Sequence, residues 1–179
     1  DEDPWPHIDA LLRGQTRPPQ PTYDADLKAV RDTWLNLADE RRALLKLLSR
    51  FALTPAQASR WFDPTKRAAA CTALTTDAEI IENPYRISEV DLGDAKESAV
   101  SVGTIDRGLL PDATIAALHP VPSPSLVQSA ADPRRLRAAL VSVLRRASEN
   151  GDSLLSVTEA VEKVAALQLA HPCLIGVDW

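Results

Sequence analysis

A chain of 179 residues suits one domain, or two small ones sharing a core, and its 45% hydrophobic content supplies the material for that core. Aromatics are only 4%, so the core must be built from Leu, Val and Ala; with strand-type runs scarce, an all-α, helix-dominated fold is predicted. A net charge of −5 argues against a uniformly basic nucleic-acid binder and leaves room only for a local basic patch.

Residues 4–13 read as a short helix, with Ile8, Leu11 and Leu12 apolar and Gly14 as stop signal. Residues 14–23 contain Arg17-Pro18-Pro19-Gln20-Pro21 and read as a stiff linker; Pro18 and Pro21 also have the PxxP spacing of SH3 ligands. From Asp24 to Phe51, the residues Leu27, Val30, Trp34, Leu37, Leu44, Leu48 and Phe51 alternate at three–four spacing, with Arg41 in the one polar slot. That spacing predicts a long helix with a heptad-like seam, packed either on this chain or on another domain or subunit.

Thr54-Pro55 and Asp63-Pro64 each read as an N-cap followed by Pro at the first helical position. Thr76 caps a further helix that must end at Asn83, because Pro84 disfavours helix in the residue before it. Pro84-Tyr85-Arg86-Ile87 restarts a short turn. Residues 91–131 are the least regular, with Gly93, Gly103 and Gly108, two short helices near 101–108 and 112–118, and an extended linker over 119–125.

Asp132-Pro133 starts a helix to about Asn150, with Gly151 beyond it and Leu136, Leu140, Val143, Leu144 and Ala147 on one face. Ser153-Leu154-Leu155 reads as a short strand or extended turn, and Ser156 and Glu159 form a capping box for a helix to about Leu169. Helix, extended piece, helix is the pattern of a helix-turn-helix or winged-helix unit, and equally of a plain α-hairpin. The chain so divides into an N-terminal helix and linker (1–23), a helical bundle (24–90), an irregular hairpin region and linker (91–131) and a helix-turn-helix/winged-helix-like unit (132–179).

Motifs of self-contained catalysis are missing from the sequence. There is no G-x-x-x-x-G-K-S/T phosphate loop, no G-x-G-x-x-G and no G-x-S-x-G elbow. His7, His119 and His171 are isolated, so no zinc site is expected. The acids Asp39, Glu40, Glu79 and Glu82 read as solvated helix faces, and Cys71 as a small core residue. The sequence therefore predicts no catalytic residue, no cofactor, no metal and no small-molecule substrate. Two lone cysteines, Cys71 and Cys173, predict a reducing, cytoplasmic setting. No apolar run approaches the roughly 18 residues of a membrane span, and the acidic, Pro-rich start is unlike a signal peptide.

One charge pattern remains. Arg134, Arg135, Arg137, Arg145 and Arg146 lie off the apolar face of the 132–150 helix; Arg134 eclipses Arg145, and Arg135 eclipses Arg146. Two basic rows on the solvent side would suit DNA phosphates through the guanidinium fork, or pair with the chain's own carboxylates.

Four segments in order carry a resemblance: Leu53-Thr54-Pro55-Ala56-Gln57-Ala58, Glu82-Asn83-Pro84-Tyr85-Arg86-Ile87, Asp132 through Leu140, and Gly151-Asp152-Ser153-Leu154-Leu155. Together, over residues 53–157, they resemble the region before the motor in RecD-like superfamily 1 DNA helicases, the exodeoxyribonuclease V alpha-subunit-like group. The resemblance implies a helix-hairpin-helix module after Asn83-Pro84-Tyr85. The family's Gly-x-Gly hairpin is replaced here by Glu89 to Lys96 and then Val102 to Gly108, with acids that would repel phosphate. It further implies that ATP and Mg²⁺ belong to a motor outside these residues. The function expected on this basis is a non-motor accessory region that positions or regulates the motor, with DNA as a weak, phosphate-mediated partner. The partner protein would be the motor domain of the same parent or another subunit. The competing expectation is a helical protein–protein interaction module that uses the 27–51 seam and makes no DNA contact.

Overall fold

Side-chain caps set the start of six helices. The structure, a computed structural model, describes residues 3–175, and among these it has eleven α-helices and no strand. In chain order they are α1 (Trp5–Leu12), α2 (Asp24–Asn36), α3 (Asp39–Leu48), α4 (Pro55–Phe62), α5 (Pro64–Ala70), α6 (Asp77–Glu82), α7 (Arg86–Val90), α8 (Val102–Leu109), α9 (Ala113–Leu118), α10 (Pro133–Glu149) and α11 (Val157–Ala165). Thr54 and Thr76 close reciprocal capping boxes with Gln57 and Glu79; Asp63, Ser101, Asp132 and Ser156 cap their helices from one side.

Two expectations need correction, and one open alternative is decided. The long 24–51 helix is two helices, because Leu37 leaves the helix in an extended conformation (ψ 129°). The acids Asp39 and Glu40 begin α3 where they favour a helix N-terminus, and Arg42 donates at 2.9 Å to the Trp34 carbonyl, which also accepts the Leu37 amide at 3.3 Å. At 153–155 the extended turn is realised and the strand is not. α11 stops at Ala165, where the chain turns back and places Leu167 and Leu169 against α10's core cluster instead of extending the helix to 169.

One core joins residues 44 to 138. Leu44, Leu48 and Phe51 of the α3 region pack with Trp61, Ile80, Tyr85, Ile87, Val102, Ile105 and Ala138, so the 24–90 and 91–131 regions share an interior. A smaller cluster joins Leu136, Ala139 and Val143 of α10 to Val164 and Cys173, and Leu169 touches both clusters. Gly108 lets α8 lie directly on the α3 exit: a Cβ there would come within 2.5 Å of the Phe51 ring and 2.8 Å of the Arg50 carbonyl.

Short, aromatic-poor helices are also held by buried ion pairs. Arg135 forks onto Asp106 at 2.7 and 3.1 Å, both side chains fully buried, and the Tyr85 hydroxyl donates to the same carboxylate at 2.7 Å. Burial beside that carboxylate pushes the Tyr85 hydroxyl far above its ordinary value, so it stays a donor. Asp77 bridges Arg41 (2.8 Å) and Arg67 (2.5 Å), tying α6 to α3 and α5. Asp91 accepts from Arg60, the Trp61 indole and the Val100 and Gly93 amides.

Removing one member of a buried pair strands the other, so Asp106→Ala should lower the unfolding free energy by about 3–5 kcal/mol in urea denaturation. Asp77 gives a pH dependence. Burial opposes its charge, but the hydrogen bonds and charges of Arg41 and Arg67 outweigh this and hold the carboxyl below its usual value. A folded-state value below the unfolded one stabilises the protein fully above about pH 4, and the benefit is lost as pH falls through the lowered value. Asp77→Asn should therefore cost about 1–3 kcal/mol at pH 7, and the gap to the parent should close as the denaturation series is taken below about pH 4.

Candidate functional site

The five arginines of α10 are sorted by burial. Arg135 is fully buried, which overturns its expected place on the solvent side. With Ala138, Ala139 and Val143 it occupies positions i, i+3, i+4 and i+8 of the buried stripe. Besides Asp106, it donates to the carbonyls of Ala130 (2.9 Å), His171 (2.5 Å) and Pro172 (3.3 Å).

Arg134 and Arg145 are likewise withdrawn from any phosphate. Arg134 donates to the carbonyls of Glu82 (2.7 Å), Pro124 (3.1 Å) and Leu126 (2.6 Å) and pairs with its own N-cap, Asp132, at 2.9 Å. Arg145 donates to the carbonyls of Ser88, Glu89 and Asp91, the C-terminal end of α7, where a cation suits the helix dipole. Arg137 is exposed but lies 3.2 Å from the buried Glu89 carboxylate. Arg146 is exposed and has no ion pair among the described residues. The solvent-facing rows reduce to this one open guanidinium.

The expected 27–51 seam is not one surface. The break at Leu37 separates its halves: Leu44, Leu48 and Phe51 are in the chain's own core, Trp34 is buried, Leu27 and Leu37 are half-buried and Val30 is exposed. Trp34 is covered by Trp5, stacked with ring centroids 6.3 Å apart, and its indole donates to Asp9 at 3.0 Å.

In the hairpin region, backbone amides are already occupied. Asp94 accepts from the Lys96 and Glu97 amides at 2.8 and 2.9 Å, which with Arg60 hold its carboxyl below the ordinary value. Gly93 has φ +70° and its amide serves Asp91. The turn thus binds the chain's own carboxylates where the resemblance would place a phosphate.

Arg146 opens onto a cleft of 440 Å³ between α8, α10 and the end of α11. Its polar lining includes Ser101, Arg107, Arg146, Asn150, Lys163 and Gln168, and no carboxylate. Arg107 and Arg146 are exposed, and Arg107 lies within 3.9 Å of where a Gly103 Cβ would sit, so its guanidinium folds back over the first turn of α8. Lys163 shares a solvent-exposed pair with Glu159 at 3.3 Å. Cations, hydroxyls and amides of this kind bind an anion through charge-assisted hydrogen bonds. The lining contains no carboxylate, imidazole or thiol for proton transfer, and no metal-binding group occurs among the described residues. Arg107 and Lys163 had no signal in the sequence, because the three cations come from separate segments that only packing brings together.

No protein-family model matches the chain, nor does any curated protein or solved structure.

The sorting of the arginines is measurable. Arg145→Ala should destabilise the protein by about 1–3 kcal/mol, since three buried-side carbonyls lose their donor. Arg146→Ala should leave the unfolding free energy in urea denaturation within about 0.5 kcal/mol of the parent.

Proposed function

We propose that this chain is a non-motor accessory region of a RecD-like DNA helicase and that it holds a nucleic-acid phosphate in the cleft between α8, α10 and α11. The observation that carries the nucleic-acid part is the convergence of Arg107, Arg146 and Lys163 on a cleft with no carboxylate in its lining, in a chain of net charge −5. Arg107 and Arg146 have no carboxylate partner among the described residues and Lys163 has only the exposed Glu159, so a bound anion would relieve their mutual repulsion, and a phosphodiester supplies the charge and the acceptor oxygens. The helicase context rests on the four ordered segments between residues 53 and 157 and places ATP and Mg²⁺ with the motor. Cytoplasmic residence goes with it; no helix among the described residues is long and apolar enough to cross a membrane.

A protein–protein interaction module is the competing reading. It is favoured by the exposed Tyr23, Val30 and Leu35 of the α2 region, and it predicts no DNA affinity of the chain itself.

Fluorescence anisotropy of labelled DNA across a salt series separates the two. Affinity should be measurable at low salt, and the joint substitution Arg107→Ala, Arg146→Ala and Lys163→Ala should flatten the slope of log K against log salt by roughly two to three. Absence of binding at low salt, or a slope unchanged by the triple substitution, would overturn the proposal.

A further inference from the structure

We infer that the cleft takes the end of a nucleic-acid strand, through a terminal phosphomonoester, in preference to a phosphodiester within the strand. This rests on the reading of the cleft as a phosphate site and narrows it to one class of phosphate.

The cations converge and do not form a row. Arg107 comes from α8, Arg146 from α10 and Lys163 from α11, and all three line the same cleft of 440 Å³. Donors that enter from separate walls suit one tetrahedral group approached from several sides. A phosphodiester brings a single charge and two free oxygens. A terminal phosphomonoester brings about two charges at pH 7 and three free oxygens, so it answers converging cationic donors more fully.

Neighbouring phosphates find no further cation. Beyond Arg107, the Arg50 guanidinium is closed onto the carbonyls of Gly108 (3.5 Å), Pro120 (3.4 Å) and His119 (2.5 Å). On α10, Arg134, Arg135 and Arg145 are turned to the chain's own carbonyls and Arg137 lies on Glu89. Past Arg146 the helix ends at Glu149, where its dipole is negative, and Glu149 and Asp152, which flank the cleft residue Asn150 in sequence, are exposed. A strand that runs through the cleft carries flanking phosphates out on two sides, one of them towards these acids. A strand that ends in the cleft carries them out on one side only.

The rest of the lining suits the nucleoside attached to that phosphate. Val102, Val143, Leu167 and Leu169 form an apolar wall, and Asn150 and Gln168 add side-chain amides. Inorganic phosphate has nothing to lay on such a wall. The charged groups that face the ligand are Arg107 from α8, Arg146 from α10 and Lys163 from α11, with Glu159 beside Lys163. The lining contains no imidazole, so a change of affinity around pH 6 reports the second ionisation of the phosphomonoester itself.

The probe is an oligothymidylate of about ten nucleotides, labelled within the strand, with a 5′-phosphate, a 3′-phosphate or hydroxyls at both ends. In anisotropy titrations at low salt and about pH 7.5, at least one phosphorylated strand should bind the parent about tenfold tighter than the hydroxyl-ended strand. Arg107→Gln and Arg146→Gln, both at exposed positions, should each remove most of that advantage. The advantage should shrink several-fold between about pH 7.5 and about pH 5.5, as the monoester loses its second charge. Thymidine 5′-monophosphate should compete about tenfold more weakly than the phosphorylated strand; equal competition overturns the strand end as the ligand. If the three strands bind alike and both substitutions weaken all of them equally, the terminal phosphate is wrong while the phosphate cleft stands. If neither substitution changes the binding of any strand, the phosphate cleft itself fails.

Discussion

Arg135 enters the interior with all five of its N–H groups engaged, two on Asp106 and three on the carbonyls of Ala130, His171 and Pro172. Burying two charges costs several kcal/mol per ion, and only bidentate geometry with every donor satisfied offsets it. Tyr85 completes the shell of Asp106 from the start of α7. One side chain thereby fixes α10 against α8, the turn before α7 and the segment at 171–172. It is also what orients the cleft. Arg146 lies about three turns further along the same row of α10. The first member of that row is covered by α8 and the 171–172 segment, and the last is left open beyond them. The eclipsing of Arg135 and Arg146 is therefore real, and the two residues differ only in what packs over them.

The same economy runs through the molecule. Carboxylates hold arginines where a larger aromatic core would otherwise bind the helices: Asp77 takes Arg41 and Arg67, Asp91 takes Arg60, and Asp132 takes Arg134. Other arginines, such as Arg145 and Arg50, close off helix-end and loop carbonyls. Half of the 20 Lys and Arg have a carboxylate partner among the described residues. Arg107 and Arg146 are among the unpaired ones, and both line the cleft between α8, α10 and α11.

Local chemistry was readable in the sequence and tertiary choices were not. Thr54-Pro55, Asp63-Pro64, Thr76, Asp132-Pro133 and Ser156 each announced a helix start that packing left unchanged, because a cap is satisfied within four residues. The break at Leu37 had no Gly or Pro to mark it. Only the acid pair Asp39-Glu40 hinted at a new N-terminus, and the three–four spacing of leucines concealed it. Arg135 was misread for a related reason. A side chain's charge suggests solvent, while the partners that hold it inside, Asp106 and the carbonyls of His171 and Pro172, are 29 to 37 residues away in sequence. The cleft itself, assembled from residues near 103, 146 and 163, has no local pattern at all.

The hairpin region shows why a phosphate, if one is held, must be held by side chains. In the turn after α7 the amides of Gly93, Lys96 and Glu97 already serve Asp91 and Asp94, and Asp91 is tied inward to Arg60 and Trp61. Releasing them to an external anion would take hydrogen bonds from the buried Asp91 and from Asp94 and set the anion beside both negative charges. An anion bound instead by the exposed cations of the cleft displaces nothing in the fold. Affinity then depends on screened charge and falls with salt, while stability depends on buried pairs that salt barely reaches. On that reading the two properties would be carried by different arginines of the same helix, and the surface set could change without loosening the fold that presents it.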